Sequence, residues 1–437
     1  MIEIIVHPHD KALPAPRSGR VPVHLYGSVG RSGTAAIGGP VLHVLSRIAT
    51  PIDPVAFDFL SLSLAVTAAD TFANRQEAAD GWARDIHLKV ALAEPDKWRP
   101  ATKLLERALH FLSGDQWMLE ITDGGEISPT PNARVRDRLD FEGMQSASLY
   151  SGGLDSAIGM LNLRAAGHKT VLVSHAYRHD ASRQEDLLKR LNEPSVRLAL
   201  HAYPRQQLDY ANDVQMRTRS FNFFAMGALV AATLAQNNGK NRQVRLNIPE
   251  NGLIAINPPL TNRRIGALST RTTHPYYLGM LQQVFAVVGL GVELHNPFAN
   301  MTKGEMILKC RDQIALKAIA WRTVSCGKWK RSGQQCGKCV PCLIRRASFH
   351  AAAWQDKTPY KAPGDDLHKA LTHSADTDDL MAMILAARRL PGQDLLSWVA
   401  KSGPLPRDVA ERSALVDVVR RGMAEVENFL TSKRVLR

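Results

Sequence analysis

Tyr150-Ser151-Gly152-Gly153-Leu154-Asp155-Ser156 lies between a segment that reads as a short strand, 146–149, and one that reads as a helix, 157–166. Gly167 follows in a C-terminal cap position and stops the helix. The glycines therefore fall on a strand-to-helix turn. Gly152 and Gly153 let the backbone bend sharply and approach a ligand with no Cβ in the way. The N–H groups that open a helix are unpaired and carry the positive end of its dipole, which suits a phosphate. Ser151 and Ser156 add hydroxyl donors, and Asp155 is placed to hold Mg²⁺ beside the phosphates. The nucleotide loop GxxxxGK[ST] is absent. An ordinary Gly-rich turn would need both glycines, but not two serines and an aspartate in these places.

From about residue 144 the pattern is β-α-β-α. Segments 170–173 and 196–200 read as apolar strands, 182–191 and 220–236 as helices, and Val244, Leu246 and Ile248 alternate as a further strand. This order implies an α/β fold with a doubly wound parallel sheet and ligands at the carboxyl ends of its strands. The glycine loop is at such an end. So is the segment from His175 through Arg178 to His179, where an adenine or ribose could be held.

Two more segments fall near the same edge. Pro249-Glu250-Asn251-Gly252 runs on to 263–275, too polar, basic and Gly/Pro-broken for core. It reads as a pocket or lid loop without secondary structure. Asn251, Arg263, Arg264, Ser269 and Arg271 are its candidate substrate contacts, the arginines for a carboxylate or for phosphates. Met301-Thr302-Lys303-Gly304-Glu305 opens a helix expected to run to Ile314, with Thr302 as its cap. Lys303 in the first turn opposes the helix dipole, a conflict that an anion such as pyrophosphate would remove.

Cys326, Cys336, Cys339 and Cys342 form C-x9-C-x2-C-x2-C. Four thiolates close a tetrahedral Zn²⁺ site, and C-x2-C spacings allow two ligands from one tight turn. An iron–sulfur cluster is the competing occupant. The lack of a secretion signal and of any cysteine before Cys310 argues against a disulfide framework. Cys310, left over, reads as a buried helix residue and not a nucleophile.

The chain has 437 residues, too long for one core, so two or three domains are expected. Residues 1–143 read as an accessory α+β domain, 144–350 as the nucleotide domain with the cysteine segment, and 351–437 as a helical region. Within the first, 27–39 reads as a mobile loop, 55–69 and 102–112 as helices, 86–92 and 117–121 as strands, and 124–140 as a linker. His7, His9 and Asp10 read as a solvated segment, not a metal site. In the tail, 357–376 reads as a linker, and Leu415, Val419, Met423, Val426 and Leu430 line one helix face, a core stripe. At 45% hydrophobic and 22% charged the chain reads as globular. No stretch approaches the roughly 20 apolar residues of a membrane span. The lack of a targeting signal points to the cytoplasm. A net charge of +14 favours anionic partners, nucleotide above all, with nucleic acid possible but not favoured.

The loop Ser151 to Ser156 resembles the SGGxDS loop of PP-loop ATP pyrophosphatases, adenine nucleotide hydrolases of the HUP-like fold, at all five fixed positions. Together with the cysteine segment it resembles the QueC family of 7-cyano-7-deazaguanine synthases. Tyr177-Arg178-His179, Arg219-Ser220-Phe221-Asn222-Phe223-Phe224, Thr302-Lys303-Gly304-Glu305-Met306 and Cys336-Gly337-Lys338-Cys339-Val340-Pro341-Cys342 match the family's stretches. The resemblance covers about half the chain. It implies ATP, Mg²⁺ and Zn²⁺ as cofactors and a ligase that adenylates the carboxyl of 7-carboxy-7-deazaguanine and passes it to ammonia. By the same resemblance Ser151, Gly152, Gly153, Leu154, Asp155, Ser156, His175, Arg178, Thr302 and Lys303 bind ATP, with Asp155, Lys303 and Ser156 catalytic. The added domains resemble those of the QueC-like QatC proteins of the bacterial Qat anti-phage system. That implies a co-encoded, QatB-like partner protein whose N-terminus is the acceptor. A tRNA-modifying PP-loop enzyme and a non-catalytic ATP-binding scaffold are the rival readings.

Overall fold

Two sheets built of short apolar strands carry the chain. The computed structural model describes residues 1–30, 32–132, 134, 137–175, 178–192, 195–239, 243–262, 271–329, 333–373 and 377–436. The first sheet holds β1 (Ile2–His7), β2 (Arg20–Leu25), β3 (Ala35–Ile37), β4 (Asp85–Ala91) and β5 (Gln116–Thr122). The second holds β6 (Ser146–Leu149), β7 (Thr170–His175), β8 (Arg197–Leu200), β10 (Val244–Asn247) and β11 (Val292–His295). The remaining strand, β9 (Arg205–Gln206), follows β8 in the chain but joins the first sheet, whose order is β5-β4-β1-β2-β3-β9. The second has the order β11-β10-β6-β7-β8. Every pairing is parallel except β3 with β9. Parallel strands are buried on both faces, and Val171 to His175 of β7 are accordingly all buried. The N-terminal segment, expected as α+β, is thus an α/β unit with a largely parallel sheet of its own. The segment 27–39, expected as a loop, contains β3.

Among the shorter helices of the first half are α1 (Val41–Leu45) and α3 (Pro95–Trp98). The longer ones are α2 (Pro54–Phe72) and α4 (Thr102–Ser113). Asp53 caps α2 by accepting from Ala56 N at 2.8 Å, and Pro54 supplies the fixed φ of the first turn. The second half adds α5 (Leu154–Ala165), α6 (Arg178–Arg190), α7 (Arg219–Asn237), α8 (Gly252–Ile256), α9 (Pro275–Val288), α10 (Lys303–Leu308), α11 (Gln313–Ile319) and α12 (Val340–Ala351). The tail contributes α13 (Leu367–His373), α14 (Asp378–Arg389), α15 (Leu395–Ala400) and α16 (Val409–Ser432).

Helix α2 covers the first sheet, α7 covers the second, and the two pack on each other, so one continuous hydrophobic core runs through both. Polar contacts pin the seam: Thr218 N and Oγ1 donate to Asp70 Oδ2 at 2.7 and 2.8 Å, and Asn222 Nδ2 donates to Ser63 Oγ at 2.9 Å. By length and composition α2 is the one helix among the described residues that could cross a membrane, but it is wholly buried here. The tail helices α14, α15 and α16 build a second core with α8 and α12. Leu415, Val419, Met423, Val426 and Leu430 are all buried in it, as expected of a core stripe. Two loop expectations and one helix boundary are corrected. The segment after Asn251 holds α8, the helix from Thr302 ends at Leu308 with α11 following separately, and 357–376 holds α13.

Candidate active site

In the second sheet β6 is central: the chain runs outward from it to β7 and β8 on one side, and returns to β10 and β11 on the other. The crevice between the carboxyl ends of β6 and β10 is therefore the switch point where such sheets take ligands. Both segments singled out from the sequence, 150–156 and 249–252, leave their strands there.

The glycine loop is held from three sides. Tyr150 N donates to Val173 O at 2.7 Å, continuing the β6–β7 ladder one residue further. Gly152 has φ +82°, and a Cβ on it would meet Gln184 Cγ at 3.1 Å. Gln184 Nε2 donates to Ser151 O at 3.3 Å and to His175 O at 3.4 Å, tying the loop to the end of β7. Val324 N donates to Gly152 O at 3.0 Å. Ser151 Oγ accepts from Gly153 N at 3.3 Å and lies 3.2 Å from Ser156 Oγ, which donates to Gly153 O at 3.0 Å. Both hydroxyls thus brace the turn at the open N-terminus of α5. Leu154 is fully buried in the core beneath the loop.

Asp155 points down into the crevice. It accepts from Lys303 Nζ at 2.5 Å, from Asn251 Nδ2 at 2.7 Å and from Asn251 N at 3.1 Å. Asp155 and Lys303 are each 6% exposed and Asn251 is fully buried. Burial would raise the Asp155 carboxyl, but the Lys303 charge and hydrogen bonds from Glu250, Lys303 and Asn251 outweigh it and hold it below its usual range. Glu250 stands beside Asp155, and burial together with the Asp155 charge pushes it well above the usual carboxylate range. Glu250 Oε1 also accepts from Asn251 Nδ2 at 3.1 Å. Asn251 also caps α8, its Oδ1 accepting from Ile254 N at 3.1 Å.

The anion that offsets Lys303 is thus Asp155 itself, where the sequence suggested pyrophosphate. A carboxylate already met by an ammonium and two amide donors does not fit Mg²⁺, which is held through free carboxylate oxygens. Asp155 is instead the ion-pair partner of Lys303. Thr302 caps α10 as expected, accepting from Glu305 N at 3.1 Å, and Glu305 Oε2 accepts from Thr302 N at 3.0 Å in a capping box.

His175 ends β7 as a buried ring, 3.0 Å from Arg219 Nη2 and 4.7 Å in centroid distance from Phe223. Arg178 opens α6, and its side chain, like Arg263, Arg264 and Ser269, lies outside the described residues. Arg271 is elsewhere: it donates to Phe111 O at 3.2 Å and lies 4.6 Å over the Phe111 ring, against α4. The site also uses residues not singled out from sequence, namely Glu250, Gln184 and Val324. Of these only Glu250 carried a signal, a carboxylate beside Asn251 at a strand end.

The Sγ atoms of Cys326, Cys336, Cys339 and Cys342 all lie within 4.8 Å of one another. Cys326 and Cys339 Sγ are 3.9 Å apart. Zn–S bonds of about 2.3 Å in a tetrahedron put sulfurs about 3.8 Å apart, so the donor set fits zinc. Backbone N–H groups of Lys328 and Cys336 each approach Cys326 Sγ at 3.3 Å, as suits thiolates. The cluster adjoins the glycine loop, because Cys326 is two residues beyond Val324. Gln335 fixes that link, accepting from Ser325 N at 2.9 Å and donating to Thr323 O at 3.1 Å. Cys310 is buried, with its thiol pushed up by burial, but it lies just past α10 and not in a helix.

A family model described as queuosine biosynthesis protein QueC matches residues 273–353, the part that carries Thr302 to Glu305 and all four clustered cysteines. The 7-cyano-7-deazaguanine synthases of Cupriavidus taiwanensis and Cupriavidus necator are each 30% identical to this chain over 238 residues, 96% of the relative and 49% of this chain. The chain belongs to the QueC family. The corresponding synthase of Cupriavidus metallidurans is 42% identical over 77 residues, 18% of this chain and 33% of the relative. Nearly a whole QueC-family protein is thus accounted for by half of the chain, and the other half is additional to it.

Proposed function

We propose that the chain is an ATP-dependent, adenylating C–N ligase of the PP-loop type. Its acid substrate is a 7-deazaguanine carboxylate, and its setting is bacterial anti-phage defence. The observation that carries the reading is the buried Asp155–Lys303–Asn251 assembly, set in the β6/β10 crevice behind a preformed glycine loop and a four-thiolate cluster. On this reading backbone N–H groups of the loop, with Ser151 and Ser156, receive the phosphates, and His175 and Arg178 border the nucleoside. Asn251 and Glu250 fix Asp155, and Asp155 fixes Lys303. The substrate carboxylate oxygen attacks the α-phosphorus of ATP, the bond to the bridging oxygen breaks, and pyrophosphate leaves. An amine nitrogen then attacks the acyl carbon, loses a proton and expels AMP. Catalysis is mainly positioning and charge stabilisation of the leaving pyrophosphate. Zinc, when bound, is structural and holds the Val324 segment against the loop.

The additional half of the chain supports an acceptor larger than ammonia, the N-terminal amine of a partner protein. The division at about 143 and 350 belongs to this reading, with the flanking parts as docking and support. The test is pyrophosphate release from ATP with and without 7-carboxy-7-deazaguanine, for the native chain and Asp155→Ala. Release that requires both the acid and Asp155 is expected. Release that ignores the acid refutes the substrate, and no release at all favours an ATP-binding scaffold. Mass spectrometry of co-expressed partners showing no deazaguanine adduct would refute the protein acceptor.

A further inference from the structure

The tail was read as a separate helical region, yet its last helix enters the active site. Glu425 of α16 reaches the N-terminus of α10, where it takes the Thr302 hydroxyl hydrogen and accepts from Gly304 N at 3.2 Å. These two residues flank Lys303 on either side. Gly304 makes the approach possible: a Cβ there would lie 2.4 Å from Glu425 Oε1. Thr302 has one hydroxyl hydrogen, and giving it to Glu425 turns the oxygen lone pair toward Glu305 N, the bond that caps α10. One turn earlier, Arg421 donates to Glu305 and, at 3.0 Å, to Asn300 O. The same face of α16 also seats the other partner of Asp155. Val418 and Gly422 pack against Gly252 and Leu253 of α8, the helix that Asn251 caps.

We infer that Glu425 is a positioning residue for Lys303, and that α16 is a strut holding together the two elements, α8 and α10, that converge on Asp155. This rests on the proposed role of Lys303 only for its effect on turnover, not for its effect on geometry. The tail is then part of the ATP site, and a QueC-family core without it lacks a support that this chain requires.

The experiment uses the full chain with Glu425→Ala, Glu425→Gln and, as a control in the same helix, Val419→Ala. Acetylation of Lys303 by acetic anhydride is followed by mass spectrometry, and kcat and KM for ATP are followed by pyrophosphate release. A Lys303 held against Asp155 reacts slowly, because only local opening exposes it. Glu425→Ala is expected to speed labelling of Lys303 about tenfold and to lower kcat about tenfold with KM changed less than about threefold. Glu425→Gln, which can still accept from Gly304 N and meet the Thr302 hydroxyl, is expected to restore both. Val419→Ala is expected to lower the melting temperature without either change, which separates positioning from stability. Unchanged labelling in folded Glu425→Ala overturns the inference. If that variant does not fold, Arg421→Ala carries the test, and unchanged labelling there overturns it equally. Faster labelling in a chain whose native form releases no pyrophosphate would sink the proposed function and leave this inference standing.

Discussion

Asp155→Ala removes one carboxylate and strands two donors. Lys303 loses its only acceptor among the described contacts and Asn251 N loses its acceptor, while the Asn251 amide keeps Glu250 Oε1 at 3.1 Å; all three residues, Asp155 included, are no more than 6% exposed. Removing one partner of a buried ion pair costs about 3–5 kcal/mol, mostly because the other charge stays buried without compensation. Lys303→Met leaves the opposite orphan, a buried carboxylate without its cation, and should cost a similar amount. The double variant Asp155→Ala/Lys303→Met removes both charges, and should cost less than the sum of the two single changes. The expected coupling is about 2–3 kcal/mol, at the upper end for residues in contact. A chain with two sheets need not unfold in one step, so the assay is hydrogen exchange of peptides covering 150–165. Single effects that add to the double within about 0.5 kcal/mol would refute the pair as a unit.

Two further outcomes follow from other parts of the molecule. The native chain should carry one zinc per chain, and Cys339→Ser or a chelator should speed exchange at Gly152 to Ser156, because Val324 is held by the cysteine segment; a visible absorption band with iron present would assign an iron–sulfur cluster instead. Asp58 of α2 is fully buried, and burial, only partly offset by bonds from Ala93 N and Glu94 N, pushes its pKa up to about 6. A raised carboxyl pKa stabilises the fold below the unfolded value and loses that contribution as pH rises through the folded one. Relative to Asp58→Asn, the native chain should therefore lose about 3 kcal/mol between about pH 4 and pH 6, and parallel curves in urea unfolding would contradict this.

The glycine loop, the four-cysteine cluster and the cap at Thr302 were legible because local geometry dictates them. A strand–turn–helix with two glycines, C-x2-C turns and a T-x-x-E cap need only a few consecutive residues. Asn251 was placed near the site for the same reason, at a strand end. Arg271 was misplaced because a basic, Pro-broken loop carries no sign of where it goes, and here its arginine finds Phe111 of α4. The Lys303–Asp155 pair joins residues 148 apart, and the Glu425–Thr302 contact joins residues 123 apart. No periodicity marks such pairs. The parallel order of the first sheet was hidden because β3 is three residues long and sits in a glycine-rich stretch. Its outer neighbour β9 comes from the other half of the chain.

That last pairing bears on synthesis. The edge of β3 stays open until Arg205 and Gln206 leave the ribosome, about ten to thirty seconds after Ile37 at ordinary translation rates of ~5–20 residues per second. Through that interval the nascent first sheet presents a bare, apolar strand edge, the kind that other chains add to. A gene fragment ending before residue 205 should therefore aggregate more readily than the full chain, as a comparison of their soluble fractions would check.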